Sequence, residues 1–178
     1  FNKATNANDN QIPIVINYRL YGSKIPRSSS KFVIPIGTND KFSALIIDRI
    51  PNMKDFDFIR IDEKSKTVIV DKGSWLIDKP LIIPRNYSLK VFPGANLSIK
   101  NKGIIFSEGP VILIGSKDLP ISINGYGEGM GLVVINSIDT SYIDYVNFKN
   151  ITVPRNEEFS ITGAVTFFNS PVKISNSK

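Results

Sequence analysis

The chain of 178 residues has no cysteine and no histidine. Those two absences exclude a thiolate nucleophile, a Ser–His–Asp triad and a zinc site built on sulfur or imidazole. Disulfides are excluded too, which leaves secretion open, because a core of this size needs no cross-links. No apolar run approaches the roughly 20 residues of a membrane-spanning helix. No Gly-Lys pair is followed by Ser or Thr, so there is no Walker-type phosphate loop. After residue 66 the only arginines are Arg85 and Arg155.

What remains is ordinary globular material. Hydrophobic residues make up 42% and charged residues 21% of the chain, against disorder for most of its length. The net charge of +6 suits acidic partners such as anionic glycans, nucleic acid or a lipid surface. The basic residues are dispersed, with Lys64-Ser65-Lys66 and Lys100-Asn101-Lys102 the densest groups, so a solvated face explains them as well. A recognition-helix pattern is missing, and basic and aromatic residues are not interleaved, which argues against nucleic acid.

Residues 1–10 read as a polar arm. Ile12, Ile14, Ile16, Tyr18 and Leu20 fall on alternate positions, the period of a strand with one buried face. Ser28-Ser29-Ser30 reads as a break and Phe32–Ile36 as a second strand. Phe42–Ile50 fits either a short helix or a buried strand, stopped by Pro51. Phe58–Ile61 and Val68–Val70 flank the polar Glu63–Lys66, a hairpin signal that leaves open which residues of the first flank face inward.

Beyond Thr67 short apolar runs follow one another, each closed by Gly, Pro, Asn or Ser: Leu81–Ile83, Leu89–Phe92, Leu97–Ile99, Ile104–Phe106, Val111–Ile114, Ile121–Ile123, Leu132–Ile135. Strands this short are weak as isolated hairpins and become stable when stacked on equivalents above and below. Gly131–Ser137 echoes Gly163–Ser170 with one residue inserted, and Ile143–Asn147 matches Val172–Asn176 in kind. Val91, Ile99, Ile121, Val133, Tyr145, Val165 and Ile174 are therefore expected inside. Lys90, Ser98, Lys100, Ser122, Asp144 and Lys173 are expected outside. Asn136, Asn147, Asn169 and Asn176 at strand ends suit either a ladder between coils or ordinary turns.

The fold expected is all-β: a right-handed parallel β-helix over residues 67–178, preceded by a β-rich cap over residues 1–66. From about Lys66 onward the chain resembles right-handed parallel β-helix proteins. More narrowly, it resembles the β-helix segments of bacterial proteins that carry a spore-coat-protein-H-type kinase domain. The resembling stretches are Lys72–Asp78, Leu81–Pro84, Phe92-Pro93-Gly94, Ile112–Gly115, Gly129–Leu132 and Thr162–Phe167. None of them is catalytic, and the resemblance implies no kinase activity here. The coils are expected to continue past Lys178 or to be covered by a partner, since open strand edges invite pairing.

Chemistry is sparse. Gly125-Tyr-Gly127-Glu-Gly129-Met-Gly131 misses the dinucleotide fingerprint and reads as a loop entering a strand. Paired carboxylates for glycoside hydrolysis would have to come from Asp118, Glu128, Asp139, Asp144, Glu157 and Glu158. Calcium-loop spacing is absent, and no metal or cofactor is expected. A carbohydrate surface would use aromatic platforms: Tyr126 and Tyr142, with Arg155 for an acidic sugar, while Tyr87 is a further candidate and Trp75 is expected to pack in the core. Three sequons begin at Asn86, Asn96 and Asn150.

The function expected is that of a non-catalytic structural protein, secreted or on the cell surface: a scaffold or stalk among envelope proteins, with end-to-end self-assembly as a further route. The alternative is a carbohydrate-active module that binds or cleaves an anionic polysaccharide.

Overall fold

The computed structural model describes residues 12–19, 22, 24–33, 50–154 and 163–178. The chain divides into two compact units, residues 1–42 and 43–178. In the first, β1 (Ile12–Tyr18) pairs antiparallel with β2 (Arg27–Val33). Ser28-Ser29-Ser30 lies inside β2 and does not break it, because the β1 ladder supplies hydrogen bonds that offset serine's low strand preference. Tyr18, one of the alternating apolar set, is exposed. The Phe42–Ile50 segment falls, apart from Ile50, outside the described residues.

The second unit is a parallel β-helix. After the 3-10 turn Met53–Asp55 and β3 (Ile59–Asp62), the strands are β4 (Thr67–Val70), β5 (Gly73–Ile77), β6 (Pro80–Ile83), β7 (Ser88–Val91), β8 (Ala95–Ile99), β9 (Ile104–Ser107), β10 (Val111–Ile114), β11 (Ile121–Gly125), β12 (Leu132–Ile135), β13 (Ser141–Asp144), β14 (Val146–Lys149), β15 (Val165–Phe168) and β16 (Val172–Ser175). They form three sheets: β16-β13-β10-β7-β4-β3, β14-β11-β8-β5 and β15-β12-β9-β6. Each coil gives one strand to each sheet, and only β3 pairs antiparallel, closing the hairpin with β4.

The interior is built from columns. Val70, Val91, Leu113 and Ile143 stack in register in the first sheet, Leu97 and Ile123 in the second, Ile105 and Leu132 in the third. All are at most 2% exposed. Two serines enter inward positions without cost to pairing. Ser107 Oγ donates to the Gly109 carbonyl at 2.7 Å, and Ser141 Oγ accepts from the Val111 amide at 3.0 Å. Among the described residues no buried side-chain nitrogen or oxygen lacks a hydrogen-bond partner.

The N-terminal end of the column is covered by residues of the same unit. Met53 and Phe56 belong to the core, and Phe58, Ile59 and Ile61 pack against it, which settles the facing of β3. Trp75 is half-buried, stacked on Phe58 at 5.4 Å, with Nε1 donating to the Asp71 carbonyl at 2.8 Å. It is a packing residue. Asn52 meets the first strand of the third sheet: its amide donates to the Pro80 carbonyl and its oxygen accepts from the Ile82 amide.

Corners carry the irregularity. Asn101, Asn136, Asn150, Asn169 and Asn176 all take positive φ at turns, the conformation that asparagine tolerates best after glycine. Tyr145 also takes φ 51, as the single residue between β13 and β14. It is therefore not an inward strand residue. The corner consumes one position, so the alternation resumes with Val146 inside and Asn147 outside. Register places Ile143 against Ile174, two residues away from the match read in the sequence. A slip of two preserves the facing of every side chain, so alternation alone could not detect it. Ile174 does occupy an inward column, yet it is 57% exposed in the last described coil. Val133 is fully buried, but it alternates with the core residues Leu132 and Val134 and so lies in the outward row.

Candidate binding surface

Since the inward columns are filled with apolar side chains, ligand chemistry is confined to the outer rows and corners. The outer rows of the three sheets differ.

The first sheet presents Arg60, Ile69, Lys90, Ile112, Tyr142 and Lys173 in one register row. Tyr142 is 41% exposed, with Lys173 Nζ 5.8 Å from its ring centre. Arg60 is held by Asp71 at 3.2 Å. Asp144, in the neighbouring row, accepts from Ser175 Oγ and from the Asn176 amide, both at 2.8 Å, and acts as a clasp between coils.

The second sheet presents two rows, Ser74–Asn96–Ser122–Asn147 and Leu76–Ser98–Asn124–Lys149. Neither contains a carboxylate. The side chains of Ser74, Asn96, Ser98, Ser122 and Asn147 point outward and have no hydrogen-bond partner among the described residues. Within the second row Asn124 donates to the Tyr126 hydroxyl at 2.7 Å and accepts from the Asn150 amide at 3.2 Å. Tyr126 is 47% exposed, and Lys100 Nζ lies 5.3 Å from its ring centre. On the opposite margin Asn147 shares a depression of about 320 Å3 with Lys117, Tyr145 and Lys178.

The outer face of the third sheet is apolar from β6 to β12, and half-buried Thr166 and Phe168 follow in β15. Ile82, Ile104, Phe106, Val133 and Ile135 alternate with core residues, and each is at most 4% exposed.

Tyr126 and Tyr142 thus belong to different sides of the helix and do not form one surface. Arg155, Glu157 and Glu158 lie outside the described residues. Tyr87, at the corner between the third and first sheets, is tied down: its hydroxyl donates to Glu63 Oε2 at 2.5 Å, and Lys66 Nζ is 2.9 Å from the same oxygen and 5.1 Å from the Tyr87 ring. These contacts hold the carboxyl of Glu63 below its ordinary pKa, chiefly through the Tyr87 hydroxyl and then through Lys66. Lys66 is correspondingly raised, chiefly by Glu63. The cluster joins the β3–β4 turn to the next coil. Asp139 shares a depression of about 230 Å3 with Arg85 and Tyr87.

The glycine-rich stretch is a corner, as read from sequence, leading from β11 into β12. A Cβ on Gly129 or Gly131 would collide with the carbonyl of Ile99 or Ala164 on an adjacent coil. These two glycines permit close coil-to-coil approach, whereas Gly127 takes φ 61 at a turn in open space. The asparagines form a partial ladder, side chain to side chain: the Asn169 amide donates to Asn136 Oδ1 at 3.0 Å. Asn147 is not at a strand end but within β14.

Ser98 and Ser122 are outward, as the sequence places them, but the rows they form with Ser74, Asn96, Asn124 and Asn147 were missed, because the members come from different coils and meet only through register. The signal available was their placement between inward apolar neighbours, as in Leu97-Ser98-Ile99 and Ile121-Ser122-Ile123. Among the described residues no group of His, Cys, Asp and Glu is arranged to hold a metal ion, and no helix is long and apolar enough to cross a membrane. Comparison with protein-family models, curated proteins and solved structures finds no match.

Proposed function

We propose that this chain is a non-catalytic β-helical scaffold or stalk of a secreted or cell-surface assembly. The narrower reading is a β-helix of the kind that accompanies spore-coat-protein-H-type kinase domains. The observation that carries the proposal is the filled interior: from β4 to β16 successive coils stack in register around apolar columns. A stack of this kind resists bending, because each rung is held by backbone hydrogen bonds to the rungs above and below it. Three carboxylates support the same reading: Glu63, Asp71 and Asp144 are engaged in contacts that join strands or coils.

The test is incubation of the purified chain with acidic and neutral polysaccharides, followed by measurement of new chain ends. The expected result is that every polymer keeps its length. Release of chain ends in proportion to protein concentration would overturn the scaffold reading and favour the carbohydrate-active alternative.

A further inference from the structure

The outer face of the second sheet has a composition that scaffolding does not require. Its two register rows hold hydroxyl and amide side chains, with Leu76 the only large apolar group and Lys149 the only charge. Rungs repeat about every 4.8 Å along the helix axis. Serine offers one donor and two acceptor lone pairs, and asparagine two donors and two acceptor lone pairs. The partners they lack in the protein must come from solvent or from a ligand.

We infer that this face binds an extended acidic polysaccharide lying along the helix axis. Asn96, Ser122 and Asn147 hydrogen-bond successive sugar hydroxyls. Tyr126 presents its ring to the apolar C–H face of a sugar, held in place by the 2.7 Å bond between its hydroxyl and Asn124. Lys100 beside that ring and Lys149 at the end of the row supply the positive charge for sugar carboxylates or sulfates.

Three observations favour this ligand class. A repeating row of neutral donors and acceptors suits a repeating polyhydroxyl chain. A protein partner would call for a buried aromatic or aliphatic anchor, and half-exposed Leu76 at one edge is a poor one. Single-stranded nucleic acid would call for aromatic platforms on successive rungs, and the two aromatic side chains beside the rows, Tyr126 and Tyr145, stand at opposite margins and do not form such a series. The inference is independent of the scaffold reading. Polymer cleavage would sink that reading and leave this one standing, whereas absence of binding would do the reverse.

The experiment is affinity electrophoresis and calorimetry of the full chain with polygalacturonate, and with dextran as the neutral polymer. Binding to polygalacturonate that weakens with added salt is expected, with weaker binding to dextran. Tyr126→Ala is expected to weaken binding about tenfold, and Tyr126→Phe to retain most of it, since the ring remains. The double variant Asn96→Ala/Ser122→Ala is expected to weaken it about three- to tenfold. Tyr142→Ala/Lys173→Gln, on the first sheet, is expected to leave binding unchanged. Circular dichroism and the unfolding midpoint establish that each variant is folded. No binding to polygalacturonate, equal binding to dextran, insensitivity to Tyr126→Ala, or loss confined to the first-sheet variant would each overturn the proposal.

Discussion

The outer rows of the second and third sheets stand on the same coils and yet have opposite chemistry. In the third sheet Ile104, Phe106, Val133 and Ile135 are as buried as the core. In the second sheet the equivalent outward positions are Asn96, Ser98, Ser122 and Asn124, partly or fully accessible and without an apolar side chain among them. The difference separates two kinds of constraint. Inward positions obey one rule in all three sheets, since each must fill the column. Outward positions are free of it, so their chemistry reflects what lies against each face. Burial on both sides gives the third sheet the nearly continuous apolar runs typical of covered parallel strands, whereas the second sheet alternates.

The sharpest way to break this comparison is to truncate one outward residue on each sheet. Phe106→Ala is expected to cost about 3–5 kcal/mol in urea unfolding, the loss of a fully buried aromatic plus the cavity it leaves. A loss of less than about 1 kcal/mol would mean that the third sheet's outer row is not packed in solution, and that the two faces are more alike than their side chains.

Corners give an intermediate effect. Asn136 combines φ 52 with a bond from Asn169 on the next coil. Asn136→Ala is expected to cost about 1–2 kcal/mol from the left-handed backbone conformation. Asn136→Gly should cost less, because glycine accepts that conformation freely. Equal losses in the two variants would assign the whole effect to the Asn136–Asn169 bond. Smaller still is Ser122→Ala on the second sheet, expected within about 0.5 kcal/mol of the parent. A larger loss would show that the polar row stabilises the fold, and would weaken the case that it is kept for a ligand.

Much of the β-helix was legible in the sequence. Strands such as Leu89–Phe92 and Ile121–Ile123 announce themselves by alternation bounded by turn residues, and Val91, Ile99 and Ile121 are inside as their parity predicts. The losses occurred where alternation stops being informative. At Tyr145 the chain turns on one residue and the parity shifts, so a tyrosine that reads as inward lies at a corner and Asn147 moves outward. Along Leu132–Ile135 every residue is apolar and buried, so parity could not tell Val133 from its core neighbours. The proposed site was less legible. Tyr126 and Tyr142 look alike in the sequence as platforms, and only the coil geometry sends them to different faces. The hydroxyl and amide rows become visible as rows only once register is known: Ser74, Asn96, Ser122 and Asn147 are far apart in the chain and adjacent in space.

The smallest expected effect concerns the corner that joins the β3–β4 turn to the second coil, where contact is ionic and exposed, in contrast to the buried rows. Glu63 has a depressed pKa in the folded protein, because it accepts from Tyr87 and Lys66. Its contribution to stability is complete above its ordinary value of 4.5 and disappears as the pH falls through the depressed value. Lys66 behaves in the opposite sense. Its pKa is raised, so its contribution is complete below 10.5 and is lost as the pH climbs through the raised value. Asp62 is also depressed, by Ser65 and by the Lys64 amide. A comparison of the parent with Glu63→Gln isolates the glutamate. The gap between their unfolding midpoints should be level between pH 4.5 and 10.5, close as the solution is made more acidic, and narrow with added salt, because both charges are solvent-exposed. A gap that persists undiminished well below the ordinary glutamate range would show that the Tyr87 hydroxyl, and not the charge on Glu63, holds this corner.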